Sequence, residues 1–372
     1  MRKKKIAIVG SGNAGCLTAL HYGFYGNELF DIDLYHDPNI AIEKVGQGSA
    51  IPTIKLISDA LGFDWVNNPI KATFKSGIFY ENWGKKNHNF FHKFPMYNMA
   101  FHYIPKLLSN VVMESKFVNT IEKSISDPES EIDADYIFDC RGKTKNNYKN
   151  DYDIIINPLN SAILSRKYGR DVNLTYTRCV ATPDGWTFVI PNYDSVSYGY
   201  LYNNTITTKN QATKNFIDLF DVVPDGDLNF KNYISKSMWV GSRTILNGNR
   251  LSFIEPLEAT SSGVYQYVAR SAWDHIVDGV SKDICDQRVK SFSKKIQTFI
   301  MWHYQNGSKY DSPFWEYAKS LPFNPDDEFL CYLKNSKDFS YFDINNTIHN
   351  DYGQWPLQSF KNWYDNVASG EK

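Results

Sequence analysis

Three features of this 372-residue chain predict an α/β fold. A strand, glycine turn and helix open it, alternating segments fill its middle, and a helical stripe marks its end. The expected architecture is a βαβ dinucleotide-binding unit with an embedded antiparallel sheet over residues 1–280. A mainly helical region over 281–372 is expected to complete it. At this length and with 42% hydrophobic residues, the chain can bury a large core, more than a simple binding module needs.

Lys5 to Val9 is a short apolar run that ends in Gly-Ser-Gly-Asn-Ala-Gly, and Ala14 to Tyr25 then reads as a helix. Phe30 to Tyr35 alternates and supplies the next strand, about 20 residues after the glycines, the spacing of a βαβ nucleotide unit. The polar segment from Ser124 to Asp135 reads as a hairpin or loop, and DYIFDCRG at 135–142 as a strand ending in a tight turn. Alternation over Asn173 to Ile190 and Ser195 to Ile206, with Pro183-Asp184-Gly185 as a turn, predicts antiparallel sheet. Beyond Val264, the residues Ile284, Val289, Phe292, Ile296, Phe299 and Ile300 form the stripe of an amphipathic helix.

Composition narrows the function. A formal charge of -1 creates no global field for a polyanion, so neither nucleic acid nor an anionic membrane is an expected partner. The basic start Arg2 to Lys5 precedes an apolar run too brief for a signal peptide or a membrane span, and a cytoplasmic protein is expected. Cys16, Cys140, Cys179, Cys285 and Cys331 stand far apart, which argues for buried free thiols and against a metal site. Aromatic residues make up 16% of the chain, suited either to lining a flat ligand's pocket or to a compositional habit.

Gly10, Gly12 and Gly15 form G-x-G-x-x-G in the required context, with Ser11, Asn13 and Ala14 between them. Such glycines permit a sharp turn and let a pyrophosphate reach backbone N–H groups at the positive helix end. The acid that holds the ribose belongs at the end of the second strand, where His36 precedes Asp37. The contact is therefore made by a histidine or displaced by one residue. Segments 135–142 and 248–263 favour FAD over NAD, because flavoproteins of the hydroxylase type use such returns of the chain to cover the ribityl and the flavin ring. Taken alone, each is also an ordinary sheet end.

Further segments occur in a fixed order: VGQGSAIPTI at 45–54, ATFKSGIFYENW at 72–83, AFHYI at 100–104, GWTFVIP at 185–191, GNRLSFIEPLEATSSG at 248–263 and HYQNGSKYDSPFW at 303–315. With the opening VGSGNAG, they resemble the flavin-dependent halogenases, the tryptophan halogenase family, in a shortened form. The resemblance implies that reduced FAD, dioxygen and a bound chloride, bromide or iodide yield hypohalous acid, which travels inside the protein to a lysine and halogenates an electron-rich aromatic. The reduced flavin would come from a separate, transiently associating flavin reductase.

By the same resemblance, the cofactor residues are Gly10, Ser11, Gly12, Asn13, Ala14, Gly15, His36, Asp37, Ile40, Gly46, Gln47, Gly48, Gly248 and Asn249. Lys75 is the lysine of the F-K motif and Glu258 the base of P-L-E. Read as residues alone, Lys71 and Lys75 are two solvated lysines and Glu258 a turn carboxylate. Thr260 and Ser261 would cradle halide through main-chain donors, with serine where many relatives carry glycine. Trp186, Phe188 and Pro191 would wall the tunnel, phenylalanine replacing the second tryptophan of W-x-W-x-I-P. Phe101 and His102 would face the substrate. The expected substrate is a small aromatic molecule; few residues separate Trp83 from Ala100, where tryptophan-specific relatives carry a long insertion, so a more open site for a different or larger aromatic than tryptophan is expected. A flavin monooxygenase that hydroxylates directly, and a degenerate FAD-binding relative suggested by His36, Gln47 and Ser261, are the alternatives.

Overall fold

The computed structural model describes residues 2–42, 45–49, 51–94, 99–143, 151–169, 175–337, 339 and 351–367. The chain forms two compact units: Met1–Thr73, Ala100–Ile155 and Asn232–Ser291 make the first, and Phe74–Met99, Ile156–Lys231 and Phe292–Lys372 the second. The boundary expected between 280 and 281 does not coincide with this division.

The first unit is built on a six-stranded sheet. Its strand order is Trp239–Val240, Thr244–Leu246, Tyr136–Asp139, Lys4–Val9, Phe30–His36, Asn119–Glu122. All neighbours are parallel except the Trp239–Val240 edge hairpin. Ile6, Ala7 and Ile8 are fully buried on the central strand, which is why that strand reads as a continuous apolar run rather than an alternating one. The helix Asn13–Tyr25 is buried from Ala14 through Gly23, so it carries almost no polar face. The helix Ser261–Asp278 lies against it: the Tyr22 hydroxyl donates to the Ala269 carbonyl at 3.0 Å, and the Tyr22 and Trp273 ring centroids are 5.4 Å apart.

The polar segment 124–135, expected as a hairpin or loop, contains the short helix Pro128–Glu131. Asp127 caps it through the Glu129 N–H, and the Glu131 carboxylate accepts the N–H groups of Ser126 and Asp127 at 2.8 Å. These local side-chain bonds make a helical turn from residues whose acidity reads as loop.

The second unit carries a seven-stranded sheet in the order Pro224–Asn229, Ser161–Tyr168, Ser195–Tyr202, Gly185–Pro191, Thr177–Thr182, Gly77–Glu81, Asn89–Lys93. It is antiparallel apart from one parallel pair, Thr177–Thr182 with Gly77–Glu81, as the alternation in the middle of the sequence predicts. Helices Pro313–Ser320, Asp327–Lys337 and Leu357–Asn366 make the C-terminal part helical.

The helix Lys282–Asn306 follows the predicted stripe with one correction: Ile284 is 45% exposed, and its neighbour Cys285 is fully buried in its place. Cys285, Val289, Phe292, Ile296 and Phe299 recur at alternating steps of four and three, which keeps them on one face; Ile284 is rotated about 100° off it. A second correction concerns Cys331, which is exposed, whereas the other four cysteines are buried.

Candidate functional site

The carboxyl ends of the parallel strands in the first unit converge on a cavity of about 190 Å³. After the first strand come Gly10 to Ala14, and after the second Asp37 and Ile40 to Ile42. Lys123 to Ile125 follow Asn119–Glu122, Cys140 to Gly142 follow Tyr136–Asp139, and Asn249 follows Thr244–Leu246. The strand Lys4–Val9 lies between its neighbours in the sequence pattern of a crossover, so this is the crevice where open α/β sheets take their ligands.

The three glycines meet three separate demands. Gly10 has φ +109°, and a Cβ there would lie 2.8 Å from the Cys140 carbonyl oxygen. A Cβ on Gly15 would lie 1.8 Å from the Gly10 carbonyl oxygen, so Gly15 lets the helix pack onto the turn. Gly12 has ordinary dihedrals and nothing within 4 Å of a Cβ position; it faces open space in the cavity. It is also the N-cap of a 13-residue helix that has no side-chain cap, which leaves the first N–H groups for a ligand. An absent Cβ facing a cavity at an uncapped helix start is the cradle a dinucleotide pyrophosphate needs.

At the end of the second strand, the displaced alternative is the one that reaches the cavity. Asp37 lines it, whereas His36 is not among the lining residues and offers its carbonyl to the Lys123 N–H at 2.9 Å. The Asn39 backbone N–H, at 2.9 Å, and the Ser124 hydroxyl hold the Asp37 carboxyl below the usual carboxylate range. An ionised acceptor there suits a ribose hydroxyl.

Gly46, Gln47 and Gly48 do not line this cavity; Gln47 and Gly48 pair antiparallel with Tyr103 and His102. Gly248, with φ +65°, brings its backbone to the glycine turn, where an added Cβ would be 2.6 Å from that of Ala14. Asn247 fastens this return by donating to the Thr18 hydroxyl and the Tyr265 carbonyl, both at 3.0 Å. Asn249 and Tyr265 line the cavity and are joined by a 3.3 Å hydrogen bond.

Lys75 departs from the solvated reading: it is 1% exposed, with its Nζ 5.4 Å from the Phe94 ring centroid, whereas Lys71 is exposed. Glu258 is half-buried and sits at φ 70°, followed by Ala259 at φ 53°. Two consecutive left-handed non-glycine residues are strained, and the turn is closed by the Ala259 N–H donating to the Pro256 carbonyl at 2.9 Å. The preceding Glu255 is fully buried; its N–H donates to Asn232 Oδ1 at 2.7 Å, and its carboxylate accepts the Leu257 N–H at 3.3 Å. Thr260 and Ser261 stand at the start of the 18-residue Ser261–Asp278 helix, which also lacks a side-chain cap. Ser261 is not left-handed, so a serine fits here and the strain falls on Glu258 and Ala259 instead.

In the second unit, Trp186, Phe188 and Pro191 are buried on Gly185–Pro191. Phe188 is paired with Gly199, and a Cβ on that glycine would meet the Phe188 ring at 2.1 Å, so the ring lies flat across the sheet. Phe101 and His102, in the first unit, are fully buried. The Phe101 ring packs at 5.4 Å from Phe63, and His102 Nδ1 is 3.3 Å from the Thr73 hydroxyl.

Lys123, Arg141 and Tyr265 are among the cavity residues that the sequence reading does not name for the cofactor. Arg141 lies inside the flagged DYIFDCRG run, whereas Lys123 follows a strand of four residues too short to show periodicity. No cluster of metal-ligating side chains occurs among the described residues.

The family model for tryptophan halogenase matches residues 5–107 and 108–345. The chain belongs to the tryptophan halogenase family. This family member is similar to Tryptophan 7-halogenase RebH of Lentzea aerocolonigenes, 26% identical over 157 residues, which cover 39% of this chain and 29% of the relative. It is similar to Tryptophan 6-halogenase ThaL of Streptomyces albogriseolus at 28% over 156 residues, again 39% of the chain and 29% of the relative. The matched stretch thus spans under a third of either relative's length. Among solved structures, BrvH, a flavin-dependent halogenase from Brevundimonas sp. BAL3, superposes with TM-score 0.81 at 16% identity over 100% of this chain and 91% of that one. Xcc4156, a flavin-dependent halogenase from Xanthomonas campestris, gives 0.78 at 17% identity over 97% and 89%. The family member therefore shares the fold of these structures.

Proposed function

We propose that this tryptophan halogenase family member is a flavin-dependent halogenase acting on an electron-rich aromatic other than free tryptophan. The observation that carries the reading is Lys75, a lysine with 1% exposure in the F-K segment. Lysines are almost never fully buried unless paired, and a buried amine is shielded from bulk water. Gly10–Ala14 and Asp37 would hold FAD, which when reduced and bound would supply, with dioxygen, the two-electron oxidation of chloride, bromide or iodide.

The chain's own residues do the rest. Main-chain N–H groups at Thr260 and Ser261 hold the halide at a positive helix end. Lys75 receives the oxidised halogen, either hydrogen-bonding it or carrying it on the amine, and presents it to the substrate carbon. Glu258 stabilises the cationic ring and takes its proton, restoring aromaticity. Trp186 and Phe188 form an apolar wall that keeps substrate from the flavin. A separate flavin reductase supplies the reduced cofactor.

The test is a screen of small aromatics with a generic flavin reductase and bromide or iodide, read by mass spectrometry. Halogenated product is expected only when halide is present. For Lys75→Ala, halogenated product should fall by about a hundredfold or more while oxidation of reduced FAD continues. A variant that halogenates at the parent rate overturns the lysine's role, and hydroxylated product without halide overturns the reading as a whole.

A further inference from the structure

We infer that Arg141 grips the pyrophosphate of the cofactor, as a fixed guanidinium beside the glycine turn; this rests on the proposed use of FAD. Arg141 lines the cavity, and its backbone abuts the turn: a Cβ built on Gly10 would lie 3.3 Å from Arg141 N.

Its side chain is held in place. Nε and Nη2 donate to Asp139 at 2.9 and 2.8 Å, and Nη1 donates to the carbonyls of Ile125 and Ser126 at 2.6 and 2.8 Å. One N–H on Nη2 is left without a protein partner among the described residues. The side chain as a whole is 18% exposed, and Arg141 lines the cavity.

Charge points the same way. Arg250 Nε also donates to Asp139, at 3.0 Å, so two guanidiniums share one carboxylate that is 4% exposed. Those three groups alone carry a net charge of +1, which Asp127 and Glu131 offset in part. The excess sits at the carboxyl ends of the strands, beside the uncapped Asn13–Tyr25 helix, whose positive end adds to it. An anion with several oxygens satisfies both, and a guanidinium already fixed by its protein partners offers its remaining N–H and its charge without first having to order the side chain.

A purely structural Arg141, tying the 125–126 segment to the sheet, would bind charged and uncharged nucleosides alike. The experiment therefore titrates FAD, ADP and adenosine into the full chain by calorimetry, for the parent, Arg141→Gln and Arg141→Lys. Arg141→Gln is expected to weaken FAD and ADP by about tenfold to a hundredfold and to leave adenosine within about twofold. Arg141→Lys keeps the charge but not the fixed position of the donor and should lose an intermediate factor for ADP; it carries the test alone if the glutamine variant does not fold. Parent-like ADP affinity in a folded variant, or an equal loss for all three ligands, overturns the inference. A parent that binds no FAD overturns the proposed function and this inference with it, whereas a parent that binds FAD beside variants that bind ADP unchanged defeats this inference only.

Discussion

Gly12 and Gly15 share one turn and answer to different constraints, and substitution separates them. Gly12→Ala adds a methyl group where nothing lies within 4 Å, at ordinary dihedrals, so thermal stability should stay within about 0.5 kcal/mol of the parent while FAD affinity falls at least about tenfold. Gly15→Ala forces a Cβ to within 1.8 Å of the Gly10 carbonyl oxygen, and stability itself should fall by about 2 kcal/mol or more. Chemical denaturation and fluorescence titration of FAD measure the two effects; a Gly12→Ala protein with parent affinity contradicts the cradle. The glycine pattern is legible in sequence because only glycine meets such conditions. The burial of Lys75 is not, since charge makes exposure the default for any lysine and only the surrounding fold decides otherwise. Between His36 and Asp37, sequence leaves the choice open, because the strand's last residue is set by pairing: His36 still pairs with Glu122, and the chain turns into the cavity only at Asp37.

At the scale of one element, the helix Lys282–Asn306 shows what periodicity conveys and where it slips by a residue. Apolar content at 284 suits the stripe, yet Cys285 takes the buried position, a thiol being small enough to pack there. Ile284→Lys should therefore change stability by no more than about 0.5 kcal/mol, whereas Ile296→Ala, at a fully buried site, should cost about 2–5 kcal/mol. Urea denaturation of the two variants checks the register, and a large loss for Ile284→Lys would contradict it. The strands of the first unit were legible through their apolar runs. The Pro128–Glu131 helix was not, because capping bonds rather than a hydrophobic stripe hold it.

Across the whole molecule, the cavity belongs to the first unit, and cofactor binding is expected to stabilise that unit. At about one hundred times its dissociation constant, FAD contributes about 2.7 kcal/mol. In hydrogen exchange, amides of Asn13–Tyr25, Asn119–Glu122 and Tyr136–Asp139 that exchange only by opening of the unit should slow by about a hundredfold. Unchanged exchange in those segments under saturating FAD would contradict a cofactor site there. The two-sheet plan could be read from the change of pattern along the chain, but its division could not, because residues distant in sequence share each core.

Each unit draws on three separate stretches of the chain. Neither half therefore corresponds to a continuous piece of gene. A crossover between residues 231 and 292, including the apparent seam near residue 280, would take the sheet of the second unit from one parent and the helices that follow Phe292 from the other. Exchange of parts between relatives must then proceed by swapping short loops at the strand ends, and a library built on this scaffold would do best to vary those loops and leave the joints intact.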